Sequence, residues 1–157
     1  MHKTIAIVRI LTGGIFLLFG EYKIASPDFA HGGFQDYLKQ YISHDALEFY
    51  RPFLTHFVQP HAVGYGYLVG LLELGIAASL ILGMWVRPFS LLGVLYMLNL
   101  TFATWNEVGP GPVWRYFGAE LSHIPLLFLF MIFFAANAGL TWGLDGAGKT
   151  SAGKRLR

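Results

Sequence analysis

The sequence contains no cysteine and carries little charge. Of its 157 residues, 13% are Asp, Glu, Lys or Arg, whereas 55% are hydrophobic, and the mean hydropathy is +0.52. The absence of cysteine excludes disulfide bonds, thiol catalysis, iron–sulfur ligation and cysteine-based zinc sites. The net charge of +2 is too small to indicate nucleic-acid binding. The chain is too apolar for an ordinary soluble domain, so its composition predicts one small integral membrane domain.

Four apolar stretches are separated by polar segments or by turns that contain glycine and proline. They predict membrane-spanning helices over residues 4–24, 63–83, 88–105 and 118–138. Arg9 interrupts the first stretch and no clean cleavage site follows it, which favours a retained helix over a signal peptide. The predicted fold is therefore an all-α integral membrane four-helix bundle over residues 1–144, followed by a flexible basic cytoplasmic tail over residues 145–157.

The loop between the first two spans, residues 25–62, holds most of the polar part of the chain. Phe34, Leu38 and Tyr41 recur at amphipathic spacing, and Pro52 interrupts the pattern before a second apolar face. This pattern predicts short interfacial helices that lie across one mouth of the bundle.

The distribution of lysine and arginine predicts the orientation of the bundle. An even number of spans puts both termini on the same side of the membrane. That side carries Lys3, Arg9, Arg87, Lys149, Lys154, Arg155 and Arg157, and the opposite side carries Lys23, Lys39, Arg51 and Arg115. Because cytoplasmic loops carry an excess of Lys and Arg, both termini are predicted to be cytoplasmic and the long loop to be extracytoplasmic.

One acidic residue, Glu73, lies near the middle of the second predicted span. Counted from Val63 at about 1.5 Å per residue, it lies about 15 Å along the axis, half of a ~30 Å hydrocarbon core. A carboxylate at that depth is costly unless it is paired, protonated or hydrated. On a helix, Gly66, Gly70 and Ala77 share its face and leave room for a close neighbour. We therefore expect Glu73 to face the protein interior.

Antiparallel packing of the four predicted helices collects polar residues toward one end. These are Glu21, Lys23, Asn106, Glu107, Glu120 and His123 at the outer end, with Asn99 and Glu73 below them. Arg9 and Arg87 lie toward the inner end. Such a gradient suits a pocket that opens outward, in which His123 or Trp105 grips a polar ring while Glu73 handles a proton. The same residues also suit an internal polar network that holds the helices together.

Three motif matches lack the context that their chemistry requires. Glu120 and His123 have the Glu-x-x-His spacing of di-iron bundles, but a di-iron site needs two such motifs. Haem ligation by His123 and His61 is disfavoured because no attachment motif or second deep histidine is present. Residues 143–150 match the Walker A pattern but follow a membrane span instead of a strand, which argues against nucleotide binding. The other histidines lie in the predicted loop or at the N-terminus, so no metal site is predicted.

Small residues recur along one face of the second predicted span. Gly66 and Gly70 form a Gly-x-x-x-Gly pair, and Gly75, Ser79 and Gly83 continue at four-residue spacing. Such ladders allow close helix packing, either within the bundle or in a homo-oligomer. Packing within the bundle is the commoner use when three other helices are present.

Several short segments resemble the signature of the DoxX family of small bacterial and archaeal membrane proteins. The resemblance covers residues 5–105 and is carried by Arg9, Gly20-Glu-Tyr-Lys23, Gly70-Leu-Leu-Glu73-Leu-Gly75 and Gly83-Met-Trp-Val-Arg87. It implies four transmembrane helices in a prokaryotic plasma (inner) membrane. It also implies a redox setting, because DoxX and DoxD proteins are associated with thiosulfate:quinone oxidoreductase, quinone detoxification and oxidative-stress complexes.

The leading functional hypothesis is a redox-associated, quinone-linked subunit that binds a small hydrophobic ring between its helices. Glu73 would donate or accept a proton, and Lys23 or His123 would polarise a ring oxygen. The ring site would be lined by Arg9, Asn99, Trp105, Asn106 and Glu120, with Arg87 and Glu107 as structural polar residues. As an enzyme, the chain would be an oxidoreductase subunit acting with quinone, but no electron-carrying cofactor site is recognisable in the sequence.

Two alternatives stay open at this stage. The first is a non-catalytic anchor that binds a periplasmic redox protein through the outer loop, with a structural role for Glu73. The second is a proton or small-solute pathway with Glu73 and Asn99 as a relay at the membrane midplane. The expected partners are the lipid bilayer, other redox subunits or a periplasmic protein, and a further copy of the chain through the glycine ladder.

Overall fold

The computed structural model of the protein describes residues 2–107 and 123–147. Within these ranges every regular element is helical. The α-helices are α1 (His2–Ala25), α2 (Phe34–Gln40), α3 (Arg51–Phe53), α4 (Ala62–Leu82), α5 (Val86–Thr104) and α6 (His123–Ala135). Three π-helical turns cover Phe29–Gly33, Tyr41–Asp45 and Leu54–Val58, and two 3-10 turns cover Gln59–His61 and Ala138–Leu140.

Three helical stretches of the described chain are long and apolar enough to cross a membrane. They are His2–Ala25, Arg51–Leu82 and Val86–Thr104. The first three predicted spans coincide with α1, α4 and α5, so the prediction of an all-helical membrane protein is confirmed. The fourth predicted span, residues 118–138, begins outside the described residues, and its described part is the shorter apolar helix α6.

Helices α1 and α4 pack closely in antiparallel order because glycines replace side chains along their contact. A Cβ at Gly20 would lie 2.9 Å from the backbone nitrogen of Leu74, and one at Gly70 would lie 2.9 Å from the side chain of Ile24. A Cβ at Gly66 would lie 2.9 Å from the Cα of Ala30. The Gly-x-x-x-Gly pair of α4 therefore serves packing within the protein.

Gly20→Ala should destabilise the protein, whereas Gly14→Ala on the same helix should not. The new methyl group at position 20 meets backbone that cannot move aside, which corresponds to about 1–3 kcal/mol of overpacking. A Cβ at Gly14 meets nothing within 4 Å, so alanine there should stabilise α1 by about 0.5–1 kcal/mol. Reversible denaturation in detergent micelles, followed by circular dichroism, measures both. Equal effects of the two substitutions would contradict this packing.

The main core lies between the two helix pairs, α1 with α4 and α5 with α6. Its buried side chains include Phe16, Ile76, Leu80, Met97 and Phe130. A Cβ at Gly93 would lie 2.5 Å from the ring of Phe130, so this glycine lets α6 approach α5. We call the end of the bundle at Ala25, Ala62 and Thr104 the loop end, and the end at His2, Leu82 and Ala135 the terminal end.

The long loop folds into helices over the loop end and has a small core of its own. Leu38, Ala46, Leu54, Val58 and Ala62 form this core. The amphipathic spacing around Leu38 therefore predicted helical structure here correctly. Three π-helical turns, which are rare in proteins, interrupt the loop helices.

Candidate functional site

Glu73 lies at the centre of a buried polar cluster that joins three helices. Its Oε1 accepts hydrogen bonds from Lys23 Nζ of α1 at 2.5 Å and from the Tyr96 hydroxyl of α5 at 2.7 Å. Its Oε2 accepts a second hydrogen bond from Lys23 Nζ at 2.7 Å. The Glu73 side chain is 5% exposed, which confirms that it faces the interior. We call Lys23, Glu73 and Tyr96 the polar cluster.

The close approach of α1 to α4 brings Lys23 to the carboxylate. Gly70 lies one helical turn before Glu73, and a Cβ at Gly70 would lie 3.1 Å from the Cβ of Lys23. A larger residue at position 70 would push α1 away and separate the charges. Tyr96, near the middle of α5, donates a hydrogen bond to the same carboxylate. The small-residue stripe of α4 thus creates the space in which the ion pair forms.

The polar cluster has one partly accessible end, at Lys23. The Lys23 side chain is 18% exposed, and its Nζ lies 5.8 Å from the Phe19 ring centroid and 5.5 Å from the Phe29 ring centroid. Phe29 is buried, whereas Phe19 and the neighbouring Tyr22 are exposed on α1. An ammonium group at these distances interacts favourably with aromatic faces. Lys23 therefore connects the buried carboxylate with an aromatic surface.

Asn99 and Asn106 do not join the polar cluster. The side-chain amide of Asn99 donates a hydrogen bond to the Tyr50 hydroxyl at 2.5 Å. The side chain of Asn106 donates one to the Ala46 carbonyl at 3.2 Å, and its backbone N–H donates one to the Asp45 carbonyl at 2.7 Å. Both asparagines therefore fasten the loop to the end of α5.

Two tyrosines of the loop, Tyr41 and Tyr50, are partly buried near this contact. Burial, together with the negative charge of Glu107, raises the pKa of Tyr41 to about 12. Burial also raises the pKa of Tyr50. Both hydroxyls therefore stay protonated well above neutral pH. Trp105 and Glu107 follow α5 at this end of the bundle.

His123 lies at the loop end, at the first described residue of α6. Its Nδ1 lies 3.5 Å from Thr104 Oγ1. Thr104 is about 12 Å beyond Tyr96 along α5 at 1.5 Å per residue. The structure thus brings Lys23 and Glu73 together and leaves His123 in a separate position. Glu120, and with it the Glu-x-x-His motif, lies outside the described residues.

Arg9 is completely buried at the terminal end, where it binds backbone. Its two terminal guanidinium nitrogens, Nη1 and Nη2, donate hydrogen bonds to the carbonyls of Ala138 and Trp142, each at 2.9 Å. Arg87 is exposed, and its guanidinium carbon lies 4.7 Å from the Phe134 ring centroid. Neither arginine reaches the polar cluster. In the structure the partners of Arg9 are carbonyls of the protein itself.

Asp145 was predicted to begin a flexible tail, but the structure holds it against the bundle. Its carboxylate oxygens accept hydrogen bonds from the backbone N–H groups of Trp85 at 2.8 Å and Val86 at 3.0 Å. Its own N–H donates to the Gly83 carbonyl at 2.9 Å. The start of α5 lacks a local side-chain cap, and Asp145 supplies it from a distant part of the chain. The end of the bundle therefore extends to Asp145, and residues 148–157 lie outside the described residues.

The sequence profile of the DoxX family matches residues 4–105. The chain belongs to the DoxX family. No curated protein and no solved structure matches it. The matched part of this DoxX protein contains α1, the loop, α4 and α5, and so the whole polar cluster. It excludes α6 and Asp145.

Sequence reasoning assigned no role to Tyr96, which the structure places in the polar cluster of this DoxX protein. A hydroxyl within an apolar span needs a hydrogen-bond partner, because lipid offers none. Tyr96 lies at nearly the same depth in α5 as Glu73 in α4, and this was the signal that could have paired them. The Lys23 ammonium, the Glu73 carboxylate and the Tyr96 hydroxyl together form a continuous hydrogen-bonded chain through which a proton can be held or passed.

Proposed function

We propose that this DoxX protein crosses a prokaryotic plasma membrane four times, with both termini in the cytoplasm. Three candidate spans and the apolar helix α6, which packs antiparallel to α5, support this arrangement. The excess of Lys and Arg at the terminal end supports the orientation. In this orientation the loop helices lie at the outer interface of the membrane.

We further propose that the protein is a redox-associated subunit that binds a quinone-type ring at the polar cluster. The observation that carries this proposal is the Lys23–Glu73 ion pair, buried in an apolar bundle yet accessible at Lys23. Buried ionisable groups at membrane depth are costly and commonly serve function. The exposed aromatic ring of Phe19 beside Lys23 gives a flat ligand a surface to stack on.

In this proposal the residues of the polar cluster have separate roles. A lysine ammonium has three N–H donors, and two of them point at Glu73, which leaves the third for a ring carbonyl. Glu73 holds the ammonium in place through two hydrogen bonds, and Tyr96 donates a hydrogen bond to the same carboxylate. In this proposal the ring approaches between α1 and the π-helical turn at Phe29. As part of an enzyme, the protein would act as the quinone-binding subunit of an oxidoreductase.

Quinone binding is tested on the purified full chain in detergent. Organic extraction should yield a bound quinone, and a short-chain ubiquinone analogue should bind in a fluorescence titration. Phe19→Leu removes the exposed stacking surface but keeps both charges of the ion pair, and should weaken binding about threefold to tenfold, the range of one aromatic contact. Phe128→Leu, at an exposed position on α6, is the matched control. A protein that contains no quinone and binds none would overturn the proposal.

A docking role for the outer loop is the second candidate, and one surface feature favours it. Phe49, Phe53 and Phe57 are exposed and recur at four-residue spacing on the chain that leads into α4. Exposed aromatic residues are enriched at protein interfaces and at membrane interfaces. Replacing Phe49 and Phe57 with serine should abolish co-purification of a soluble redox partner while quinone binding is retained. Unchanged co-purification of the partner would contradict a docking role for the outer loop.

A further inference from the structure

A cavity of about 310 Å³ opens at the terminal end, far from the polar cluster. It is lined by Trp85, Arg87, Pro88, Asn137, Leu140 and Asp145. The cavity lies where α5 begins and just beyond the end of α6. In a protein whose helices span the bilayer, this level corresponds to the lipid headgroups. The cavity is therefore placed to meet a headgroup.

Two opposite charges line the cavity without pairing with each other. Arg87 and Asp145 form no ion pair with one another in the described structure. The Arg87 guanidinium lies over the Phe134 ring at 4.7 Å from its centroid. Each oxygen of Asp145 accepts one backbone hydrogen bond, which leaves further lone pairs for a donor in the cavity. A ligand with a separated negative and positive charge complements this arrangement.

Exposed apolar side chains surround Arg87 and Asp145. Trp85 and Trp142 are 64% and 58% exposed, and Leu140 and Leu144 are also exposed. Tryptophan is enriched at membrane–water interfaces, where its ring lies at headgroup level. Acyl chains that descend from a headgroup at Arg87 would run along this apolar surface. The surroundings of the cavity therefore fit an amphipathic ligand.

The backbone around the cavity is held in an unusual conformation. Three non-glycine residues of the described chain have a positive φ, namely Trp85 at 54°, Asn137 at 47° and Trp142 at 52°. This left-handed region is uncommon for bulky residues and persists only where the surroundings enforce it. Here the hydrogen bonds of Asp145 to Trp85 and of Arg9 to Trp142 enforce it. Two of these three residues are thus held in this conformation by hydrogen bonds within the protein.

We propose that this cavity is a binding site for a phospholipid with a primary ammonium headgroup, of the phosphatidylethanolamine class. The lipid phosphate binds Arg87, and the ammonium donates hydrogen bonds to Asp145. A phosphatidylcholine headgroup has no N–H donor for Asp145. A phosphatidylglycerol headgroup carries the same phosphate but has no ammonium group to balance the charge of Asp145. The site does not depend on quinone binding and should survive its loss.

Brominated lipids test the site, because bromine on the acyl chains quenches nearby tryptophan fluorescence. For this test Trp105 and Trp114 are replaced by phenylalanine in the full chain, so that the tryptophan fluorescence comes from Trp85 and Trp142. Vesicles contain phosphatidylcholine and an equal fraction of brominated phosphatidylethanolamine, phosphatidylglycerol or phosphatidylcholine. Brominated phosphatidylethanolamine should quench most strongly, by about twofold over phosphatidylcholine. Equal quenching by the three lipids would overturn the proposal.

Two substitutions test the two charges of the site one at a time. Asp145→Asn should remove the preference over phosphatidylcholine, and Arg87→Gln, at an exposed position, should weaken binding of all three lipids. Lys39→Gln, on the exposed loop helix α2, is the matched control and should change nothing. A preference that persists in both Asp145→Asn and Arg87→Gln would also overturn the proposal.

A soluble headgroup distinguishes a lipid from a free metabolite. Glycerophosphoethanolamine carries the same phosphate and ammonium but no acyl chains. It should not reverse the quenching by brominated phosphatidylethanolamine, because the apolar surface contributes to lipid binding. Full reversal at matched concentration would assign the cavity to a soluble phosphate ester and overturn the lipid assignment.

Discussion

Lys23→Met should destabilise the protein by about 3–5 kcal/mol, more than the double replacement Lys23→Met with Glu73→Gln. The single change leaves the Glu73 carboxylate buried with only the Tyr96 hydroxyl as partner, and an uncompensated buried charge is strongly destabilising. The double change removes both charges, and glutamine still accepts the hydrogen bond from Tyr96. Replacing a buried ion pair as a whole commonly costs little.

Reversible unfolding in mixed micelles measures this double-mutant cycle. Lys39→Met is the control, because Lys39 forms an ion pair with Asp36 in which both side chains are highly exposed, and such a pair contributes about 0.2–1 kcal/mol. If Lys23→Met destabilised no more than the double variant, Glu73 would not need Lys23 as its counter-charge. The folded double variant also allows quinone binding to be measured without the charges, which separates their role in stability from their role in binding.

The interior position of Glu73 could be predicted because it depends on a single helix. The small residues Gly66 and Gly70 share its face, and a carboxylate cannot face lipid at that depth. Its partners could not be predicted in the same way. Lys23 and Tyr96 meet Glu73 only after α1 and α5 take their places around α4, and periodicity within one segment does not fix the register between segments.

The residues predicted to line one ring site lie in separate places in the structure, because the loop folds back onto α5. Depth along the helices predicts Asn99 beside Glu73 and Asn106 at the outer end of the same pocket, yet they bind Tyr50 and Ala46 of the loop. No sequence pattern indicated that residues 46–50 would reach the end of α5, since this contact is long-range and is formed partly by backbone. Asn99 therefore gives no support to a relay with Glu73 at the midplane.

Polar residues of this DoxX protein join the helices at two separate levels along the bundle, one near its middle and one at its terminal end. The polar cluster joins α1, α4 and α5 near the middle of the bundle. In the second set, Arg9 joins α1 to the segment after α6, and Asp145 joins that segment to the start of α5. Glycines make the second set possible, because a Cβ at Gly83, which has a φ of +66°, would lie 2.4 Å from the Cα of Gly143. Changes at one level should leave the other intact.

Arg9→Met should release the segment from Ala138 to Asp145 and destabilise the protein by about 3–5 kcal/mol. Arg9 donates two charge-assisted hydrogen bonds to backbone carbonyls, one buried and one partly buried, and each such bond contributes about 1.5–3 kcal/mol. Release of this segment also withdraws Asp145 from α5. The amides of Trp85 and Val86, which bind the Asp145 carboxylate, should then exchange hydrogen faster.

Hydrogen exchange followed by mass spectrometry distinguishes this effect from general loss of structure. In Arg9→Met, peptides that contain residues 84–88 and 138–147 should lose protection, whereas peptides around Glu73 should keep it, because the polar cluster does not involve Arg9. Lys3→Met, at an exposed position of the same helix, is the control and should leave all of these peptides protected. Asp145→Ala should expose the amides of Trp85 and Val86 at a smaller cost of about 0.5–2 kcal/mol, the range for loss of a helix cap. Uniform loss of protection in Arg9→Met would mean that the two levels are coupled.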